Sequence, residues 1–235
     1  MATQTSPLPQ SPPPEKIPRL QVGDRLTRAE FERRYVAMPE INKAELVEGV
    51  VYMPSPVSTE GHGDPHFDLV TWIGNYRIQT PGVAGGDNAT IRLDHDNEPQ
   101  PDVHLRIQPE FGGATRIVEG LLEGPPELVA EVSATSVSYD LHDKLNAYRR
   151  NGVREYIVWR VLERSIDWFI LREGRFDRLP LANDGIYRSE VFPGLWLDPA
   201  AMVDGNVARV LVVLQSGLAA DEHRDFVRKL HSQSP

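Results

Sequence analysis

A short apolar segment, Leu128–Val132, constrains the fold of this chain more than any other feature of the sequence. It follows prolines at positions 125 and 126 and reads Leu-Val-Ala-Glu-Val, a pattern typical of a strand buried in the middle of a sheet. Glu131 lies inside this segment, and a lone buried carboxylate costs several kcal/mol unless it is paired or binds a metal. The segment therefore predicts a central strand whose acid has a basic or metallic partner.

The segments around this strand alternate between helical and strand-like patterns. A capping box at Thr27 and Glu30 marks one helix start, and Asn151 with the following glycine marks a helix end. We predict helices at 28–36, 66–79, 140–151, 199–214 and 218–230, a hairpin at 44–53, strands at 89–93, 103–107, 128–132, 155–161, 165–171 and 176–179, and a turn at 85–88. This order predicts an α/β fold with a mixed, partly antiparallel central β-sheet flanked by helices.

The length of 235 residues suits one such domain, which we place at residues 20–235. Residues 1–19 contain prolines at 7, 9, 12, 13, 14 and 18 and almost no large apolar side chains. We predict a disordered, proline-rich tail there. The alternative is a docking peptide for a partner that binds proline-rich segments.

The composition excludes several classes of protein. There is no cysteine, which rules out disulfides, a thiolate nucleophile and a cysteine-ligated zinc site. A net charge of −9 argues against a protein that coats nucleic acid by charge alone, although metal-binding carboxylates are themselves acidic. No apolar run is long enough to span a membrane, and the first residues do not resemble a signal peptide, so we expect a cytoplasmic protein without a membrane partner.

Two charged residues are placed so that they could act together with Glu131. Asp102 opens an apolar strand, and Lys144 lies three residues after Leu141 and four before Tyr148 on a predicted helix. Helical geometry puts Lys144 on the inward side, where it needs an anionic partner. From spacing alone, a buried Lys–Glu pair or a lysine that extends its amine to the surface explains this pattern at least as well as an active centre does.

Three further residues have more than one interpretation. Asp140 is interpreted as the N-cap of the helix that carries Lys144. His62 and His66 have the spacing of a zinc pair, but the glycine and proline between them argue against a regular helix, and the glutamate of the metalloprotease motif is missing. We reject zinc and leave two roles open for His62, lining an active cleft or marking the start of a helix.

The order and spacing of these segments resemble the bacterial Uma family of restriction-endonuclease-like proteins, part of the PD-(D/E)xK nuclease superfamily. The resemblance covers about residues 25–200. The matching segments are ELVEG at 45–49 with Pro54, Pro56 and His62, PDV at 101–103, PELVAEVS at 126–133, DLHDK at 140–144, Tyr148, GV at 152–153, EY at 155–156 and SEVFPG at 189–194.

The resemblance implies a restriction-endonuclease-like fold and a centre that binds Mg²⁺ or Mn²⁺. Asp102 and Glu131 would be the metal-binding carboxylates, and the main-chain carbonyl of Val132 would be a further ligand. Glu48 or Glu45, from the hairpin, would supply a third acid. Carboxylates and water are the ligands that a hard ion such as Mg²⁺ prefers.

The resemblance also implies a reaction, the hydrolysis of phosphodiester bonds in DNA by a metal-dependent endonuclease. The lysine that the motif places two residues after its acid is Ser133 here, and the family's alternative, a lysine on the next helix, is Lys144. Asp102, Glu131 and Lys144 would then be the catalytic residues. Two alternatives stay open: a catalytically silent binding or regulatory module of nuclease fold, working as a homodimer, and a structural cluster of ion pairs in a protein of another function.

Overall fold

The computed structural model describes residues 17–53 and 58–233. Most of the predicted proline-rich tail, together with Pro54 and Pro56 after the hairpin, lies outside these residues. The helices are α1 (Arg28–Val36), α2 (Asp64–Ile78), α3 (Val137–Tyr139), α4 (Leu145–Asn151), α5 (Pro199–Val203), α6 (Val207–Leu218) and α7 (Asp221–Gln233). The strands are β1 (Glu45–Val47), β2 (Val50–Tyr52), β3 (Val83–Asp87), β4 (Ile91–Arg92), β5 (Val103–Ile107), β6 (Arg116–Val118), β7 (Leu121–Glu123), β8 (Leu128–Ser133), β9 (Glu155–Arg160), β10 (Ser165–Arg172), β11 (Arg175–Arg178), β12 (Tyr187–Arg188) and β13 (Trp196–Leu197).

A mixed sheet of six strands, in the order β11-β10-β9-β8-β5-β3, forms the centre of the fold. The strand predicted to be central, β8, is buried along its whole length and lies between β9, which runs parallel to it, and β5, which runs antiparallel. The other neighbouring strands pair antiparallel. The predicted α/β class with a mixed central sheet flanked by helices is therefore confirmed.

Two local predictions are wrong, and glycines explain both. Residues 85–88 were predicted as a turn, but Gly85 lies within β3 at the edge of the sheet. A Cβ atom at Gly85 would come 2.7 Å from the carbonyl oxygen of His104, so only glycine allows this close approach of β3 to β5. The helix predicted at 199–214 is divided into α5 and α6, because Gly205 between them has a left-handed φ of +69°.

Apolar side chains cover both faces of the central sheet. On one face, Trp72 of α2 and Leu214 of α6 pack with sheet residues that include Ile157. On the other face, Tyr148 of α4 packs with Val129 of β8. No helix within the described residues is both long and apolar enough to cross a membrane.

The hairpin β1–β2 and helix α1 share a separate apolar cluster, centred on Phe31, Leu46 and Val51. The hairpin reaches the α4 side of the sheet, where the hydroxyl of Tyr52 donates a hydrogen bond to Asp143 at 2.9 Å. This contact places the second strand of the hairpin, β2, against the segment that carries Lys144, and Glu45 of β1 pairs with Tyr52 in the hairpin.

Two helical glycines give opposite predictions for stability. A Cβ atom at Gly217 of α6 would lie 2.3 Å from the carbonyl oxygen of Gly194, whereas one at Gly74 of α2 would meet nothing within 4 Å. Gly217→Ala should therefore lower the free energy of unfolding by about 1–3 kcal/mol through overpacking. Gly74→Ala should raise it by about 1 kcal/mol, because alanine favours the helix. Urea unfolding of both variants checks this, and equal effects of the two would contradict the packing described.

Candidate active site

Asp102 and Glu131 lie side by side on neighbouring strands of the central sheet. Asp102 immediately precedes β5, and the pairing of Val103 with Ala130 brings it next to Glu131 on β8. The Oδ2 atom of Asp102 accepts a hydrogen bond from the backbone N–H of Val132 at 2.8 Å. The Oε2 atom of Glu131 accepts one from the backbone N–H of Asp102 at 3.4 Å. Each acid thus contacts the strand of the other, and the two carboxylates converge.

The amine of Lys144 lies among three buried acids. Its Nζ atom is 2.9 Å from Oε1 of Glu131, 3.1 Å from Oε1 of Glu45 and 3.9 Å from Oδ1 of Asp140. The side chain of Lys144 is only 5% exposed, so it points inward as the helical spacing predicted. It ends a π-helical turn, Asp140–Lys144, that joins α3 to α4.

The structure brings Glu45, and not Glu48, to this cluster. Glu45 is a strand residue of β1, and its Oε1 atom also accepts the backbone N–H of Gln100 at 2.6 Å. Glu48 occupies the hairpin turn with φ +52° and forms an ion pair with Arg150 at 3.0 Å. The expectation of Glu48 as the third acid is corrected, because the turn carries its side chain away from the other acids.

Asp140 is not the helix cap that the sequence suggested. Helical structure begins earlier, at α3, and Asp140 is buried within the continuous helical segment. Its Oδ2 atom accepts hydrogen bonds from the hydroxyls of Ser133 at 2.6 Å and Ser136 at 2.5 Å. Ser133, which stands where the nuclease motif has a lysine, therefore helps to hold an acid beside Lys144.

Three more side chains complete the surroundings of the two central acids. The hydroxyl of Tyr148, four residues after Lys144, donates a hydrogen bond to Oε1 of Glu131 at 2.9 Å. The Nε2 atom of His62 lies 3.2 Å from Oδ2 of Asp102. The Nε2 atom of His66 lies 3.1 Å from the backbone carbonyl oxygen of Asp102. His62 lies in a π-helical turn, Thr59–Gly63, that leads directly into α2, so it stands at a helix start and also contacts Asp102.

Burial and charge shift the pKa values of these groups in different directions. Burial raises the pKa of Glu131 to about 8; Lys144 opposes this effect and the neighbouring acids add to it. Burial would lower the pKa of Lys144, but the carboxylates of Glu131 and Glu45 hold it well above its ordinary value of 10.5. Burial would likewise raise the pKa of Asp102, but hydrogen bonds from His62 and a backbone N–H outweigh it, so this pKa is lowered. Lys144 therefore stays charged, while burial and the neighbouring acids favour the protonated form of Glu131.

Buried acids outnumber buried lysines in this cluster. Four buried acids stand against one buried lysine: Glu45, Asp102, Glu131 and Asp140 against Lys144. Among the described residues, no group of three or more His, Asp or Glu side chains has an arrangement that would hold a metal ion. The amine of Lys144 lies among Glu45, Glu131 and Asp140, whereas Asp102 contacts His62 and the backbone of β8 instead.

A backbone oxygen adds to these donors. The N–H of Val132 points toward Asp102, and the carbonyl of the next residue, Ser133, accepts from Val161 on the opposite side of the strand at 3.0 Å. Since N–H and C=O of one strand residue point the same way and alternate along the strand, the carbonyl of Val132 points toward Asp102. Carboxylate and carbonyl oxygens are the types of ligand that Mg²⁺ and Mn²⁺ prefer, so these are the residues that could hold such an ion.

Comparisons with known proteins agree with this architecture. A family model described as "Uma2: Putative restriction endonuclease" matches residues 28–200. A crystal structure described as "a putative nuclease belonging to DUF820 from Anabaena variabilis ATCC 29413" has a TM-score of 0.50 and 13% sequence identity, and the match covers 73% of this chain and 97% of that chain. At this identity the similarity shows the fold alone. No curated protein matches the chain.

Proposed function

Because the chain belongs to the Uma2 family, which the order of its motifs had indicated, we propose that it is a metal-dependent endonuclease that hydrolyses phosphodiester bonds of DNA. One observation carries this proposal: the buried carboxylates of Asp102 and Glu131 converge from adjacent strands, with the amine of Lys144 against one of them. A structural pair would need one acid for one lysine. The surplus of buried acids supports a second cation at this site.

Asp102, Glu131 and the main-chain carbonyl of Val132 would hold Mg²⁺ or Mn²⁺. When bound, the ion would lower the pKa of water at the site and offset the negative charge that develops on the phosphate. The backbone N–H of Val132 and the imidazole of His62 fix the carboxylate of Asp102 in place, so little reorganisation is needed for binding.

Lys144 would act on the substrate directly. Its pKa is held well above 10.5 by the neighbouring carboxylates, so it remains an ammonium and does not serve as a general base. A fixed positive charge beside the reacting phosphate orients the attacking water and stabilises the charge of the transition state. Glu45 and Asp140 position this amine, since both lie within 3.9 Å of it.

A second candidate function is a catalytically silent binding module. It is favoured by the burial of the whole cluster, in which Lys144 already occupies the centre of three acids. A net charge of −9 is also unfavourable for contact with a polyanion.

The first test is direct. Purified protein is incubated with supercoiled plasmid DNA, and separately with RNA, in EDTA, Mg²⁺ or Mn²⁺. Nicked and linear DNA in the metal-containing reactions alone is the expected result. Saturable Mn²⁺ binding without any cleavage would support the silent module. The absence of both Mn²⁺ binding and cleavage would support a structural cluster of ion pairs.

Metal binding should release a proton from Glu131. With a pKa of about 8, this carboxyl is roughly nine-tenths protonated at pH 7 and roughly one-tenth protonated at pH 9, and a metal ligand must be ionised. We therefore expect release of about one proton at pH 7 and almost none at pH 9, with Mn²⁺ affinity rising through this range. Calorimetry in buffers with different ionisation enthalpies measures this number.

Glu155→Gln is the matched control for proton release. Glu155 is another buried acid of the same sheet, and burial raises its pKa to about 7. Its carboxylate accepts hydrogen bonds from the hydroxyl of Ser189 and from the backbone N–H groups of Glu190 and Val191, away from the cluster. This variant should release the same number of protons as the wild type. Proton release that disappears in Glu155→Gln and persists in Glu131→Gln would contradict the assignment.

A further inference from the structure

The hydroxyl of Tyr139 is buried and has no hydrogen-bond partner among the described residues. Buried hydroxyls in folded proteins are bonded in the large majority of cases. The nearby tyrosines follow this rule, since the hydroxyls of Tyr52, Tyr148 and Tyr156 each donate to an oxygen atom at 2.9–3.0 Å. Tyr139 is the exception among these four, and it stands beside the proposed active centre.

The ring of Tyr139 contacts one other ring and one ammonium group. Its centre lies 4.0 Å from the ring centre of Tyr52 and 5.3 Å from the Nζ atom of Lys144. Tyr139 is the last residue of α3 and lies five positions before Lys144. A π-helical turn forms hydrogen bonds between backbone groups five residues apart, so the turn that follows α3 brings these two residues together. The position of the ring, and with it that of the hydroxyl, is therefore set by contacts with Tyr52 and Lys144.

The two carboxylates near this hydroxyl already accept other donors. The charges of Glu45 and Glu131 act on it, yet neither carboxylate bonds it. The Oε1 atom of Glu131 accepts from Lys144 and Tyr148, and Oε1 of Glu45 accepts from Lys144 and the backbone N–H of Gln100. A donor next to a lysine, with its acidic neighbours occupied, is suited to a negatively charged oxygen from outside the protein.

We propose that Tyr139 contacts the substrate, and that its hydroxyl donates a hydrogen bond to a nonbridging oxygen of the phosphodiester held at the Asp102–Glu131–Lys144 centre. The inference rests on the proposed nuclease function and adds a residue that the motif pattern does not contain. The tyrosine supplies a neutral donor and Lys144 the charge, so together they bind an oxyanion without adding a second buried cation.

The test compares Tyr139→Phe with Tyr52→Phe. Both variants keep the contact between the two rings, but the first removes an unbonded hydroxyl and the second a hydroxyl bonded to Asp143. Three quantities are measured: the unfolding temperature without metal, the affinity for a labelled DNA duplex in Ca²⁺, and the rate of plasmid cleavage in Mn²⁺. Inorganic phosphate binding to the Mn²⁺-loaded protein is measured as a probe that does not depend on cleavage.

For Tyr139→Phe we expect an unfolding temperature equal to or above that of the wild type and unchanged Mn²⁺ affinity. DNA affinity should fall about 10-fold, and turnover about 100-fold. Tyr52→Phe should lower the unfolding temperature and leave DNA and phosphate affinity unchanged.

Two results would overturn the proposal. A Tyr139→Phe variant that is destabilised and binds DNA and phosphate like the wild type would show a hydroxyl with a structural role only. A wild type that binds neither DNA nor phosphate would remove the anion site altogether. Phosphate binding that depends on Tyr139 in a protein that cleaves nothing would support the contact while rejecting the nuclease function.

Discussion

Replacing Lys144 by methionine should lower the free energy of unfolding of the metal-free protein by about 3–5 kcal/mol at pH 8. The amine lies within 3.9 Å of Glu45, Glu131 and Asp140, all of them buried. Without it, these carboxylates face one another in a region of low dielectric. Because the folded-state pKa of Lys144 is raised, its stabilising charge is fully present at any pH below its ordinary value of 10.5.

The loss should depend on pH and on metal in a way that an ordinary core mutation would not. At pH 5 the remaining acids take up protons, since burial already raises the pKa of Glu131 and of Asp140, so the deficit shrinks. Millimolar Mn²⁺ at pH 8 should recover part of the lost stability by replacing the missing cation.

Urea unfolding at both pH values, with and without Mn²⁺, measures these effects. Lys43→Met is the control, because it removes a lysine whose amine donates to Asn88, away from the cluster. An equal loss in Lys144→Met at pH 5 and pH 8 would argue against charge as its cause.

Asp102→Asn should reduce the Mn²⁺ affinity at least about 100-fold and abolish DNA cleavage. Asparagine keeps the size of the side chain and one oxygen that can accept the backbone N–H of Val132, but it removes a charged ligand. The free energy of unfolding should fall by only about 1 kcal/mol, because the hydrogen bond with His62 is weakened while the cluster loses one of its excess acids.

Calorimetric titration with Mn²⁺ and plasmid cleavage together check this prediction. Asp87→Asn is the matched control. Asp87 is an exposed acid on β3, the strand next to β5, so its substitution removes the same charge without changing the cluster. Unchanged Mn²⁺ affinity in a folded Asp102→Asn protein would place the metal elsewhere or remove it. A strongly destabilised variant that still binds Mn²⁺ would make Asp102 a structural residue.

Local patterns in the sequence were enough to predict several parts of this arrangement. The apolar run around Glu131 indicated a buried central strand, because burial on both faces requires apolar residues without alternation. The spacing of Lys144 relative to Leu141 and Tyr148 indicated the inward side of a helix, because side chains three and four residues apart share a helix face. Such features are predictable because neighbours in the chain carry the whole signal.

The tertiary structure decided which of the remaining polar residues reach that centre. Glu45 and Glu48 are equivalent by spacing, and only the placement of the hairpin selects Glu45. Asp140 has the position of a cap, but its contacts with Ser133 and Ser136 depend on a helix that begins three residues earlier. The contact of His62 with Asp102 and the unbonded hydroxyl of Tyr139 likewise depend on distances between distant segments. Spacing along the chain determines the face on which a residue lies, whereas the packing of separate elements determines what that face meets.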